Sequence, residues 1–178
     1  MSRPRSDTRE RIQAVARELF SRQGVQRTSL QDIAERLGIT KPALYYHFSS
    51  REDLVRSIIQ PLIDEGERFI ADRENRGDTD VRELLEGYFD YHYRHRGDLV
   101  LVVTELTTLA ELGLIDKLLA WRDRLGRLVF GPKPTLAQST RAVIAFGGLQ
   151  DCCLQFPDTP YNELRTAVVE GALAALGM

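Results

Sequence analysis

"LQDIAERLGITKPALYYHF", residues 30–48, decides the fold. Its first eight residues set Ile33 and Leu37 one helical turn apart with charged residues between them, the pattern of an amphipathic helix. Gly38 follows where a residue of positive φ ends a helix and opens a turn. Thr40 can cap a new helix. Pro42 falls in that helix's first turn, where its missing N–H removes little hydrogen bonding. Ala34 is small enough to let the second helix approach, and Ile39 and Leu44 face Val15, Leu19 and Phe20 of a preceding helix. The spacing is that of a helix-turn-helix, with an ordinary helical hairpin as the alternative.

The second helix is rich in residues of modest helix propensity, and its side chains explain why. Tyr45, Tyr46 and His47 project polar tips at neighbouring angles, which a core would not want. Phosphate oxygens would, because hydroxyl and N–H donors bind them and fix orientation on a duplex. Lys41 can reach guanine acceptors, Ala43 can touch a thymine methyl, and Pro42 leaves a flat apolar surface near the helix start. His47 also reads as a plain surface histidine.

The chain around this stretch has 178 residues, 43% hydrophobic and 28% charged, which suits a globular protein with a sizeable core. Its net charge of −2 hides an asymmetry. Residues 1–51 carry 10 basic and 5 acidic side chains, a net +5, whereas residues 52–178 carry 14 basic and 21 acidic, a net −7. A basic head on an acidic body suggests an anionic partner for the head alone. No apolar run approaches the roughly 20 residues of a membrane span, and no apolar core follows the arginines of "MSRPRSDTRERI", so no membrane partner and a cytoplasmic location are expected. The two cysteines, Cys152 and Cys153, are adjacent on one helix and splay apart, which suits buried small residues better than a disulfide.

Turn residues punctuate the chain at Gly24, Gly38, Ser49-Ser50, Asn75 to Asp78, Gly97, Gly113, "GPKP" and "PDTP". They predict an all-α chain of about nine helices, over 7–23, 29–37, 40–47, 51–74, 80–96, 98–111, 114–130, 135–156 and 160–176. Asp7 with Glu10, and Ser29 with Asp32, are spaced as N-cap and N3 pairs. "LVLVV" at 99–103 allows a buried strand, but the three-and-four spacing through Leu109 favours a helix. Gln60-Pro61 is expected to interrupt the fourth helix.

"RTSLQDIAERLGITKPALYYHFSSREDL", residues 27–54, closely resembles the DNA-binding segment of TetR-family transcriptional regulators. The resemblance implies an N-terminal helix-turn-helix domain, 1–51, and an effector-binding and dimerisation domain, 52–178. It implies that Thr28, Ser29, Thr40, Tyr45, Tyr46, His47 and Arg51 contact the DNA backbone while Lys41, Pro42 and Ala43 face bases. It also implies a ligand-responsive regulator, a repressor by expectation, that binds a palindromic operator in double-stranded DNA as a homodimer and is released by a small molecule. A constitutive DNA-binding dimer without an effector is the alternative.

In the family the last two helices form the dimer. Here Ala142, Ala145, Leu149, Cys152 and Phe156 make one apolar stripe on the ninth helix, with Leu136, Val143 and Gly147 on another. Val168, Gly171, Ala172 and Ala175 give the last helix a small-residue face; which stripe meets the partner is open. Tyr88, Tyr91, His92 and His95 are helically spaced and, with Thr104, Thr107 and Trp121, are the expected lining for an apolar or aromatic effector. Packed core is the plain alternative for each. His92 and His95 lie three apart, but no carboxylate or cysteine spacing supports a metal, and no cofactor is expected. No G-x-S-x-G, H-E-x-x-H or Walker loop is present, so no catalytic residue and no enzyme activity are expected.

Overall fold

The computed structural model describes residues 5–77, 80–104, 106–111 and 113–178, and the side chains of all of these except 5, 6, 102–104 and 106–108. Among the described residues the chain is all-α and has ten helices. They are α1 (Arg5–Gln23), α2 (Leu30–Leu37), α3 (Lys41–Tyr45), α4 (Arg51–Arg76), α5 (Val81–Arg94), α6 (Arg96–Thr104), α7 (Leu106–Glu111), α8 (Ile115–Phe130), α9 (Leu136–Gln155) and α10 (Tyr161–Leu176). The stretch expected to be one helix over 98–111 carries α6 and α7 on either side of residue 105, which lies outside the described residues. Leu99 to Val103 are helical, so the strand alternative falls. Pro61 does not interrupt α4, which runs through it.

The chain divides into two compact units, Met1–Leu62 with Val100–Leu112, and Ile63–Leu99 with Gly113–Met178. The first holds the helix-turn-helix. Ile12, Ala16 and Phe20 form the buried stripe of α1, an i, i+4, i+8 series, while Val15 and Leu19, expected in that role, are half-buried. The helix already includes Arg5, so Asp7 sits inside its first turn rather than capping it. Ile33 and Ala34 from α2, Leu44 from α3, Phe48, and Leu54, Val55 and Ile58 from α4 complete the core of this unit.

The second unit is built on α5, α8, α9 and α10, with α9 packed against the other three. Two helix starts are fixed by side chains. Asp80 accepts from the backbone of Arg82 and Glu83 at the head of α5, and Thr135 with Gln138 forms a capping box on α9. Gly126 of α8 lets α9 come close, since a Cβ there would meet that of Ala142 at 3.4 Å. Cys152 and Cys153 are free thiols, and burial pushes that of Cys153 up to about 12, which makes it inert. No helix among the described residues is long and apolar enough to cross a membrane.

Candidate nucleic-acid interface

The turn between α2 and α3 is built as its residues dictate. Ser29 caps α2 by accepting from Asp32 N–H at 3.1 Å, and the Asp32 carboxylate accepts from Ser29 N–H at 2.8 Å. Gly38 adopts φ 67° at the end of α2, and its N–H reaches the carbonyls of Ala34 and Glu35. Thr40 Oγ1 accepts from Ala43 N–H at 3.3 Å to open α3. Leu44 and Phe48 are fully buried and anchor the segment from below.

Everything else on α3 faces outward. Lys41, Pro42 and Ala43 are exposed, Tyr45 is 46% and Tyr46 66% exposed, and His47 is half-buried. Lys41 Nζ lies 5.7 Å from the centre of the Tyr45 ring, and the rings of Tyr46 and His47 meet edge-on at 5.4 Å. One surface thus carries an ammonium, two phenols and an imidazole, all donors, and no carboxylate from α3. Two large rings are thus left in water on this surface, at a cost in apolar exposure.

Two expected contacts are committed elsewhere. Thr28 is fully buried; its hydroxyl donates to Gly24 O at 2.9 Å and accepts from Gln23 Nε2 at 3.2 Å. Its side chain is therefore not presented to a phosphate, because the end of α1 uses it. Arg51 donates to Gln26 O at 3.1 Å and Gln26 Oε1 at 3.0 Å, and it pairs with Glu52 at 3.4 Å. It ties the start of α4 to the turn after α1. Sequence reading missed Arg9. Its Nη1 donates to His47 O at 2.9 Å and its guanidinium lies 4.3 Å from the centre of the Phe48 ring, so α1 places an exposed cation beside the end of α3. Only the fold brings position 9 next to position 47.

The expected effector residues form a packed cluster within the second unit. Tyr88, Tyr91, His92 and Trp121 are each at most 4% exposed. Tyr88 and His92 rings lie 4.1 Å apart, and Tyr88 meets Phe146 edge-on at 5.2 Å. His92 Nδ1 lies 2.9 Å from Tyr88 O. A carbonyl only accepts, so Nδ1 carries the proton of the neutral ring, and burial holds the pKa down to about 4. Burial likewise raises the phenols of Tyr88 and Tyr91. His95 meets the cluster through Tyr91, its ring centre 5.2 Å from that of the tyrosine, and its Nε2 lies 2.9 Å from Glu65 Oε2. Trp121 Nε1 donates to Glu67 Oε2 at 2.8 Å, and Arg124, then the indole, hold the Glu67 carboxyl below its ordinary range. The side chains of Thr104 and Thr107 lie outside the described residues. No group of three or more His, Cys, Asp or Glu side chains among the described residues is placed to hold a metal ion.

The expected dimer residues come together with one exception. Ala145, Leu149, Cys152, Phe156, Val168, Gly171, Ala172 and Ala175 all line one apolar groove of about 350 Å³ between α9 and α10. Ala145, Leu149 and Ala172 form its buried floor, while Phe156 and Gly171 are exposed. Ala142 is the exception, because it faces Gly126 of α8. Ile144, 63% exposed, and Gly148 also line the groove and were missed.

A capped helix, a left-handed glycine and an outward-facing second helix over a buried leucine define a helix-turn-helix protein. Residues 12–58 match the model of the bacterial regulatory proteins of the tetR family. That match covers the segment carrying the helix-turn-helix, about a quarter of the chain. It is similar to the HTH-type transcriptional regulator TtgR of Pseudomonas putida, 33% identical over 88 residues, or 47% of this chain and 42% of that protein. It is also similar to the HTH-type transcriptional activator FasR of Mycolicibacterium smegmatis, 30% identical over 95 residues, or 49% of this chain and 42% of that protein. These matches therefore span less than half the length of either relative. The fold extends further. A transcriptional regulator of Aquifex aeolicus superposes with a TM-score of 0.72 at 25% identity, covering 92% of this chain and 96% of that one. Mycobacterium smegmatis AmtR superposes with a TM-score of 0.76 at 21% identity, covering 99% of this chain and 89% of that one.

Proposed function

We propose that the chain is a ligand-responsive transcriptional regulator, acting as a repressor, that binds a palindromic operator as a homodimer. The observation that carries this is α3, where Leu44 is fully buried while Lys41 to Ala43, Tyr45 and Tyr46 are exposed. In this reading residues 1–51 read DNA: Lys41, Pro42 and Ala43 face bases in the major groove, and Ser29, Thr40, Tyr45, Tyr46 and His47 hold phosphates. Arg9 joins them from α1. Thr28 and Arg51 set the shape of the head instead. Residues 52–178 hold the effector and the dimer, the latter through the α9–α10 groove, where Ile144 and Phe156 of one copy fill the small-residue floor of the other.

The experiment is fluorescence anisotropy of the full chain with the DNA upstream of its own gene and with a scrambled duplex, at several salt concentrations. A specific complex tighter than the scrambled one by at least about 10³ is expected. Equal affinity for both duplexes refutes the reading. The second reading, a constitutive DNA-binding dimer without an effector, is favoured by one observation: the rings of Tyr88, Tyr91, His92 and Trp121 are buried against each other and their neighbours. Linkage separates the two. An effector that weakens operator binding must itself bind less tightly, by the same factor, when operator is present.

A further inference from the structure

Helix α8 carries three arginines in six residues, Arg122, Arg124 and Arg127. Arg124 bridges Glu67 and Glu74 at 2.6 and 2.7 Å, and Arg127 pairs with Asp123. Among the described residues Arg122 has no such carboxylate. Its guanidinium lies over α9, with Nη2, Cζ and Nη1 at 3.7, 3.8 and 3.8 Å from where a Cβ on Gly147 would be. Three nearly equal distances place the planar fork flat over the glycine, held there by packing. The described residues contain no buried side-chain nitrogen or oxygen without a hydrogen-bond partner. The unpaired N–H groups of Arg122 therefore reach solvent.

Arg122 is also one of the residues lining a groove of about 300 Å³ between α8 and α9. Leu119, Gly126, Pro134 and Val143 supply apolar wall, and Ser139 adds a hydroxyl. Leu119 is 60% and Val143 47% exposed. Asp123 also borders the groove, with its charge taken by Arg127. The volume is at the small end of the range for organic ligands. An arginine fork matches a carboxylate with two parallel hydrogen bonds, and it stays charged when water is displaced around it.

We propose that the α8–α9 groove binds an organic carboxylate with an apolar body, its acid group on Arg122 and its chain between Leu119 and Val143. The charge selects the acid, because an uncharged analogue leaves the cation with no counter-ion when its water is expelled. The apolar exposure selects a body of medium length over a short polar acid. The inference stands on the groove alone and does not require the regulatory reading.

The test is calorimetric titration of the full chain with octanoate, octan-1-ol and acetate, without DNA. Octanoate should saturate, and octan-1-ol and acetate should each bind at least about tenfold more weakly, equivalent to about 1.4 kcal/mol. Arg122→Gln should reduce octanoate affinity at least about tenfold and leave octan-1-ol unchanged, whereas Arg122→Lys should retain part of it. Val143→Trp should abolish octanoate binding by filling the groove. Circular dichroism melts establish that each variant is folded. The proposal is overturned if octanoate fails to bind, if octan-1-ol binds as well, or if Arg122→Gln and Val143→Trp both bind octanoate as the parent does. It is also overturned if Val143→Trp changes the mass in solution and not the octanoate affinity, which assigns this face to a second copy of the chain.

Discussion

Replacing Gly66 with alanine sets two effects of known size against each other. Gly66 lies inside α4, and alanine in a helix interior is favoured over glycine by about 0.8–1 kcal/mol. A Cβ at this position would lie 2.3 Å from Cη2 and 2.6 Å from Cζ3 of Trp121, and 3.0 Å from the Tyr91 hydroxyl. Carbon atoms need about 3.5–4 Å, so the indole must retreat by more than about 1 Å. It cannot do so freely. Its ring is 4% exposed, and Nε1 is held by Glu67 at 2.8 Å. Overpacking of this kind costs about 1–3 kcal/mol, and breaking the bond to the carboxylate adds about 1.5–3 kcal/mol. The clash wins, leaving a net loss of about 1.5–5 kcal/mol. At about 2–4 °C per kcal/mol for a chain of this length, the melting temperature should fall by roughly 3–20 °C. Trp121 is the single tryptophan in the sequence, so indole fluorescence reports this site alone. Gly97→Ala, where a Cβ meets nothing within 4 Å, is the control and should not destabilise. A Gly66→Ala variant that melts at or above the parent temperature, with an unshifted emission maximum, refutes the packing argument.

Three further outcomes follow from the same structure. Lys41→Ala should relax sequence preference by about 1–3 kcal/mol, while Arg9→Gln should weaken specific and scrambled duplexes alike and lower the salt slope by about one per half-site; anisotropy in which both variants behave as the parent removes α3 from the groove. Ile144→Asp should convert dimer to monomer by setting charges into the apolar α9–α10 face, and an unchanged mass in sedimentation rules that face out. His92 is kept neutral by burial, with like charge on His95 and Arg122 opposing its protonation further and a pKa of about 4 against 6.5 when unfolded. The unfolded chain therefore binds the proton first, so stability is full above about pH 6.5 and is lost as pH falls toward 4, by about 2 kcal/mol between pH 7 and 5. Urea titrations followed by Trp121 fluorescence should show this slope in the parent and its absence in His92→Gln; equal slopes refute it.

The head was legible in the sequence because its signals are local. Ser29 with Asp32, Gly38 and Thr40 each act within four residues of themselves, and all three act as read. Leu44, expected to pack inward, is buried, and Tyr45 and Tyr46, whose polar tips a core would not want, are exposed. The errors were of the same local kind. Asp7 had the chemistry of a cap, but α1 starts before it. Pro61 had the chemistry of a break, yet α4 continues through it. Helical spacing placed Tyr88, Tyr91 and His92 on one side, which a core and a pocket both require. What decided between close packing and open space there was Gly66, a position whose meaning depends on Trp121, 55 residues away in the sequence.

Thr28 and Arg51 show where local reading stops. Both are hydrogen-bond donors beside the exposed face of α3, and donor chemistry alone assigns them to phosphate. The end of α1 makes a competing demand. A helix terminus leaves carbonyls without intrahelical partners, and a carbonyl near the core must find a donor. Gly24 O is met by the Thr28 hydroxyl at 2.9 Å, Val25 O by Thr28 N–H at 3.1 Å, and Gln26 O by Arg51 Nη1 at 3.1 Å. These acceptors arise from where the chain turns, so no residue type announces them. Ser29, one position after Thr28, has its cap satisfied by Asp32 and stays exposed. Two neighbouring hydroxyls of equal chemistry thus divide, one buried to hold the turn and the other exposed as the cap of α2, and the division follows from which carbonyls the fold has orphaned.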